Sequence, residues 1–195
     1  MLPSSILGKD LKGIIVVIGA PASGKTTIAK MLSETLNCRY INAGELARER
    51  GFLLGEDQVR GSLILDEGPI REEISSLLKE SGCLIVETIS PGAVPREEVV
   101  AVVAVRCRPS ILIKRLRERG YPSDKVRENL EYEAIDGPLY DGMEITNEDR
   151  IIEVDGCEGN LHDELGKIAR FLAGERFKLG TFDWSRDFMK LLDEI

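Results

Sequence analysis

The sequence predicts an α/β fold in three layers: a central, mostly parallel sheet of five strands with helices on both faces. Three observations carry this. Short apolar runs recur along the chain, and segments of helical periodicity lie between them. The longest run, Val99–Val105, reads VVAVVAV, which is the near-continuous apolarity of a strand covered on both faces. The 195 residues, 43% of them hydrophobic, suffice for one such domain with a substantial core.

The elements follow in order. Ile14–Ile18, Leu84–Val86, Val99–Val105 and Ile151–Val154 read as buried strands, and Arg39–Ile41 as a shorter one. Helical patterns occupy Lys25–Leu36, Gly44–Arg50, Ile70–Glu80, Ser110–Arg119, Asp124–Asp136 and Leu161–Leu172. Two stretches interrupt the rhythm: the Gly-rich, charged residues 51–69 and the turn GYPSD at 120–124. The main domain spans 1–173, and 174–195 reads as a C-terminal helical extension. That extension holds the only tryptophan, Trp184. Phe182, Trp184, Phe188 and Leu191 form a candidate apolar face that docks on its own domain, with partner docking as the alternative.

Composition narrows the function classes. A net charge of −8 argues against a large nucleic-acid footprint, but not against a nucleotide held by a local cationic pocket or against a basic protein partner. The N-terminus lacks the apolar core of a secretion signal, and no apolar stretch approaches the ~18 residues of a membrane span. A soluble, cytoplasmic protein is expected. Cys38, Cys83, Cys107 and Cys157 form no Cys-x-x-Cys pair, so a zinc ribbon is not expected. They read as reduced and buried, a disulfide remaining open if the source is a hyperthermophile.

Residues 13–27 read GIIVVIGAPASGKTT. Gly19 to Thr26 matches G-x-x-x-x-G-K-[ST], the phosphate-binding P-loop, after an apolar strand and before an amphipathic helix. Such a loop curls round a phosphate, so bulky side chains are excluded where backbone approaches it. The inward N–H groups form an anion nest at the positive end of the helix. Gly19, Ala22, Ser23, Gly24, Lys25, Thr26 and Thr27 are therefore the candidate ATP-binding residues. Lys25 supplies a mobile cation and the Thr26 hydroxyl a ligand for Mg²⁺. Ala22 stands where many such loops carry glycine, which narrows the allowed backbone angles. No guanine-reading N-K-x-D segment is present, and the chain is too short for a motor or transporter ATPase. A nucleotide or small-molecule kinase is the reading that remains.

The segment Tyr40-Ile41-Asn42-Ala43-Gly44-Glu45-Leu46-Ala47-Arg48-Glu49 resembles the acceptor-binding segment of adenylate kinases. Together with Leu65-Asp66-Glu67 and Arg115-Leu116-Arg117-Glu118-Arg119-Gly120-Tyr121, it is similar to one branch of that family. This branch includes archaeal adenylate kinases and the eukaryotic coilin-interacting nuclear ATPase, and the resemblance runs in order over residues 14–173. It implies a three-layer P-loop kinase fold with an acceptor-binding insert at about 40–75 and a short lid at about 115–127. It implies transfer from ATP to a nucleoside monophosphate, AMP first, with Asn42, Gly44, Arg48, Arg96 and Arg115 toward the substrate. It places Arg119 in the lid on the nucleotide, and Thr26 and Glu87 at the metal. Lys25, Arg119 and Glu87 are the catalytic candidates. A solvated role for Arg48, pairing of Arg96 with Glu97 or Glu98, and a surface network of Arg115 with Glu118 are the alternatives.

The same resemblance implies a second role, an ATPase assembly factor that binds a basic ribosomal protein of the small subunit; a kinase for another small metabolite on the same scaffold is a third reading. The chain departs from the family where Glu87-Thr88-Ile89 replaces an aspartate two residues before a histidine. Ile89 handles no proton, which favours transfer over hydrolysis. Gly68-Pro69 stands where relatives often have Asp-Arg, with Arg71 as a substitute. His162 reads as a surface or capping residue.

Overall fold

The computed structural model describes residues 11–57 and 62–191. The chain runs β1 (Gly13–Gly19), α1 (Lys25–Leu36), β2 (Arg39–Asn42), α2 (Ala43–Arg50), β3 (Leu53–Asp57), β4 (Ser62–Leu65) and α3 (Glu67–Ser81). It continues with β5 (Cys83–Glu87), β6 (Val99–Arg106), α4 (Pro109–Glu118), α5 (Ser123–Ala134), α6 (Gly137–Ile145), β7 (Ile151–Asp155), α7 (Leu161–Leu172) and α8 (Ser185–Leu191).

Five strands pair in the order β2-β5-β1-β6-β7, all of them parallel. The sheet therefore ends on one edge at Asn42, Glu87, Gly19, Arg106 and Asp155. β1 is central, and the chain leaves it first toward β2 and later toward β6. The crevice beyond its C-terminal end is the topological switch point, where parallel α/β sheets bind ligands.

Alternate side chains of β1 serve the two faces. Ile14, Val16 and Ile18 pack with Ile70, Ile74, Leu77 and Leu139 from α3 and α6, while Ile15 and Val17 pack with Ile28, Leu32, Ile168 and Phe171 from α1 and α7. A third apolar cluster lies beside the P-loop, where Ala20 and Ala22 meet Leu112, Leu116, Val126 and Leu130 of α4 and α5.

The structure adds elements to the sequence reading. Residues 51–69 contain the antiparallel hairpin of β3 and β4, whose tip lies outside the described residues. α3 begins at Glu67 rather than Ile70. α6 was not expected; it contains Gly137-Pro138 and Gly142, residue types that disfavour helix interiors. Pro138 sits in the first turn, where its missing N–H costs nothing. A Cβ on Gly142 would come within 3.4 Å of Ile18 and Val102, so glycine lets this helix lie close on the sheet. The four cysteines are paired rather than reduced. Cys38–Cys83 joins the starts of β2 and β5 across a Cα separation of 5.0 Å, and Cys107–Cys157 joins the segments after β6 and β7 across 5.2 Å. Among the described residues no helix is long and apolar enough to cross a membrane.

At the end of β6 the fully buried Arg106 donates to Glu133 at 2.7 Å, to Asp136 at 2.6 Å and to Glu153. Burial pushes the Glu133 carboxyl up to about 7 against the pull of Arg106. One guanidinium thus ties β6, β7 and the end of α5 together. Arg106→Ala would leave three carboxylates without their cation. It is expected to cost about 3–5 kcal/mol of stability, read as a lower urea midpoint at unchanged slope.

Candidate functional site

The P-loop leaves β1 at Gly19 and enters α1 at Gly24, whose φ of 104° is left-handed. Both glycines are required by close approach. A Cβ on Gly19 would lie 2.4 Å from the Val105 carbonyl, and one on Gly24 would lie 2.6 Å from the Gly156 carbonyl. Ala22 adopts φ 65°, the conformation that glycine would take without penalty; for alanine it costs about 1–2 kcal/mol. Within the loop, the Ala20 carbonyl accepts from the Ser23 N–H at 3.2 Å and from Lys25 Nζ at 2.9 Å. The Ser23 hydroxyl is buried without a hydrogen-bond partner among the described residues.

Lys25 is 7% exposed. Burial lowers its pKa to about 8; Glu87 opposes the shift and the nearby Arg119 adds to it. At pH 7 the lysine is thus still an ammonium, held in a dry site where an anion would stabilise its charge.

Glu87 closes β5 and is buried. Its two oxygens are separately held. The Thr26 hydroxyl donates to Oε1 at 2.8 Å and the Tyr40 hydroxyl to Oε2 at 2.5 Å. Burial and then the carboxylate raise the Tyr40 pKa, so the phenol stays a donor. Adjacent parallel strands deliver this pair, since Tyr40 and Asn42 of β2 stand beside Ile85 and Glu87 of β5. Thr26 and Glu87 offer two hard oxygens next to the phosphate cradle. That donor set fits Mg²⁺, which is commonly held by one or two protein groups plus waters and substrate phosphates.

Two clefts meet at the loop. One, of about 510 Å³, is lined by Ala22, Gly24, Thr27, Arg115, Arg119 and the 156–161 loop. The other, of about 450 Å³, is lined by Lys25, Thr26, Asn42, Gly44, Arg48 and Glu87 among others. Ala22, Gly24, Thr27 and Arg119 border both. Arg119 sits at the C-terminus of α4, where only the turn 120–122 separates α4 from α5.

The remaining residues read from the sequence divide. Arg48 is exposed on the wall of the second cleft. The Asn42 side chain caps α2 by accepting from Glu45 N–H at 3.0 Å. Arg115 is neither in the second cleft nor in a network with Glu118. It donates to the carbonyls of Ala22 at 3.2 Å and Gly156 at 3.3 Å, fastening the P-loop to the loop after β7. Arg96 is not brought to the site. It precedes β6, whose first residue stands beside Ile14, so it lies at the opposite edge of the sheet from Gly19. Arg71 donates twice to the Gly92 carbonyl, at 2.7 and 3.1 Å.

The family described as "AAA domain" matches residues 15–136. A protein of Methanothermobacter thermautotrophicus named "Putative adenylate kinase" is 37% identical over 165 residues, covering 84% of this chain and 91% of its own. One of the same name from Saccharolobus solfataricus is 33% identical over 187 residues, covering 93% and 95%. The chain belongs to this adenylate-kinase-related family of P-loop kinases. The fold agrees: a shikimate kinase from Acinetobacter baumannii superposes with a TM-score of 0.58 at 19% identity, over 90% of this chain and 100% of that one.

Sequence reasoning missed two parts of the kinase site. Tyr40 lay inside a quoted motif, but its partner was visible only once β2 and β5 were paired. The loop 156–161 carries no motif; its signal is the glycine pair Gly156 and Gly159 after an apolar run. A Cβ on Gly156 would lie 2.1 Å from the Ser23 carbonyl, so backbone would have to move. Gly156→Ala is expected to displace the P-loop and destabilise the kinase by about 1–3 kcal/mol. A matching fall in melting temperature checks this.

Proposed function

We propose that this kinase transfers the terminal phosphate of ATP, bound with Mg²⁺, to a nucleoside monophosphate, AMP first. The observation that carries the reading is the pair of clefts meeting at the P-loop, with Arg119 on the wall of both. A hydrolase requires one nucleotide cleft; group transfer between two phosphorylated molecules requires two that converge.

The roles follow from position. The loop amides at the positive end of α1 hold the donor's phosphates, and Lys25 leaves the Ala20 carbonyl to follow the phosphate in transfer. Thr26 and Glu87 would hold Mg²⁺, which supplies charge neutralisation on the phosphate oxygens when bound. Tyr40 keeps the Glu87 carboxylate turned toward Thr26. Arg48 engages the acceptor's phosphate, Gly44 and Asn42 shape the helix start beneath it, and Arg119 closes from the lid. Little covalent help is needed, because alignment and charge stabilisation dominate phosphoryl transfer. Ile89, 63% exposed on the acceptor cleft, offers apolar surface and no proton carrier, which supports transfer over hydrolysis.

The test is ADP formation from ATP·Mg²⁺ across all nucleoside monophosphates and a set of small metabolites. AMP-dependent turnover is expected, and Lys25→Met should lower it on the order of 10²-fold or more. Turnover only with another metabolite would replace the acceptor. Phosphate release that ignores AMP and responds to a basic ribosomal protein would replace the reading with the assembly-factor role.

The lysine also sets a pH dependence. Below about 8, Lys25 is charged before ATP arrives, so affinity is flat. Above it the free site is neutral and binding must take up a proton, so affinity falls toward tenfold per pH unit. Titrations from pH 7 to 9.5 should show this slope in the wild type and none in Lys25→Met.

A further inference from the structure

The tail after α7 is not needed to build either cleft, yet it is anchored at each step. The Gly180 N–H donates to Glu153 Oε2 at 2.5 Å, within the buried cluster of Arg106. The Phe182 ring lies 5.6 Å from the Arg106 guanidinium, and the Trp184 ring lies 5.1 Å from that of Arg108. Arg108 in turn pairs with Glu158 at 2.9 Å, in the loop that walls the first cleft. α8 then packs Phe188 and Leu191 into the apolar cluster of α4 and α5.

α4 has a defect that this tail repairs. The residue at its N-cap position is Arg108, whose side chain donates only, and no side chain of the helix caps it. Asp187 Oδ2 accepts from the Ser110 N–H at 2.9 Å, across 77 residues of sequence. A carboxylate there satisfies an orphan amide and complements the positive end of the helix dipole. The other end of α4 carries Arg115, which is bonded to the P-loop, and Arg119, which lines both clefts. A ten-residue helix is about 15 Å long, so a tilt of roughly 10° at one end moves the other by about 2–3 Å. Displacement on that scale is enough to spoil alignment for transfer.

We propose that residues 180–191 form a strap that sets the angle of α4, with Asp187 as a positioning residue for Arg115 and Arg119 toward the donor nucleotide. The inference rests on the kinase reading for the identity of that nucleotide. The strap acts on the donor side, because α4 reaches the P-loop and the 156–161 loop, whereas Asn42, Gly44 and Arg48 stand on β2 and α2.

The experiment compares full-length wild type, Asp187→Ala, Asp187→Asn and Trp184→Ala. ATP affinity is measured by calorimetric titration, and KM is measured separately for donor and acceptor. Asp187→Ala is expected to weaken ATP binding about five- to tenfold while acceptor KM stays within twofold. Asp187→Asn, which keeps an acceptor oxygen, should recover part of the loss, and Trp184→Ala should reproduce it. In an Arg119→Ala, Arg115→Ala background the Asp187 substitution should add nothing. Equal losses for both substrates, or a lower melting temperature with unchanged ATP binding, would overturn the strap. If the Ala variant does not fold, the Asn and Trp184 variants decide. Wild type that binds ATP but phosphorylates no nucleotide would sink the kinase reading alone; wild type that binds no ATP would sink both.

Discussion

Backbone packed directly on backbone is the constraint from which the rest of the site follows. Gly24 lies against Gly156, and Gly19 against the Val105 carbonyl, at separations that leave no room for a side chain. Three strand ends therefore converge on one loop: β1 supplies it, β6 supports it and β7 sends a second loop over it. The parallel sheet makes this convergence inevitable, because all five strands end on the same edge. Lys25 is buried for the same reason. Its depressed pKa is the electrostatic cost of a cradle that excludes water, and an anion bound there would offset it.

The underside of this cradle is fixed more firmly than its acceptor side. Arg106 gathers Glu133, Asp136 and Glu153, the Glu133 carboxylate also accepts the Cys107 N–H, and Cys107 is bonded to Cys157. Ionic, polar and covalent ties thus stack beneath the donor loops. The acceptor side has local ties instead: Asn42 caps its own helix, and Arg48 projects from an exposed turn. This asymmetry would suit the proposed transfer, in which a triphosphate is gripped in one geometry while a second substrate enters and leaves.

Much of this was legible in the residues, and the failures are physical. β1, β6 and the P-loop were readable because apolar runs and a spaced lysine report burial and loop shape directly. The β3–β4 hairpin was not, since Gly55 and the charges around it mask strand periodicity. α6 was hidden because glycine and proline count as breakers unless the surface they rest on is known. Arg115 was placed toward the substrate by the resemblance, with an i,i+3 surface pair to Glu118 as the alternative, whereas the tertiary fold offers it two carbonyls. The family match and the archaeal adenylate-kinase relatives agree with the resemblance read from YINAGELARE, but no such pattern located Tyr40 against Glu87.

Arg96 carries the sharpest lesson, because topology alone was enough to exclude it. Val99–Val105 was read as a strand parallel to Ile14–Ile18. A strand parallel to β1 must begin at the edge where β1 begins, and Arg96 stands three residues before Val99. Having ended β5 at Glu87, the chain must cross the full height of the sheet before β6 starts. A phosphate ligand from this connection has to come from its beginning, near Thr88 and Ile89, and both of these line the acceptor cleft. The second arginine on the wall of that cleft is Arg119, delivered by the C-terminus of α4. Its backbone is placed by α4, whose hydrogen bonds run through Arg115 to the P-loop and to the loop after β7.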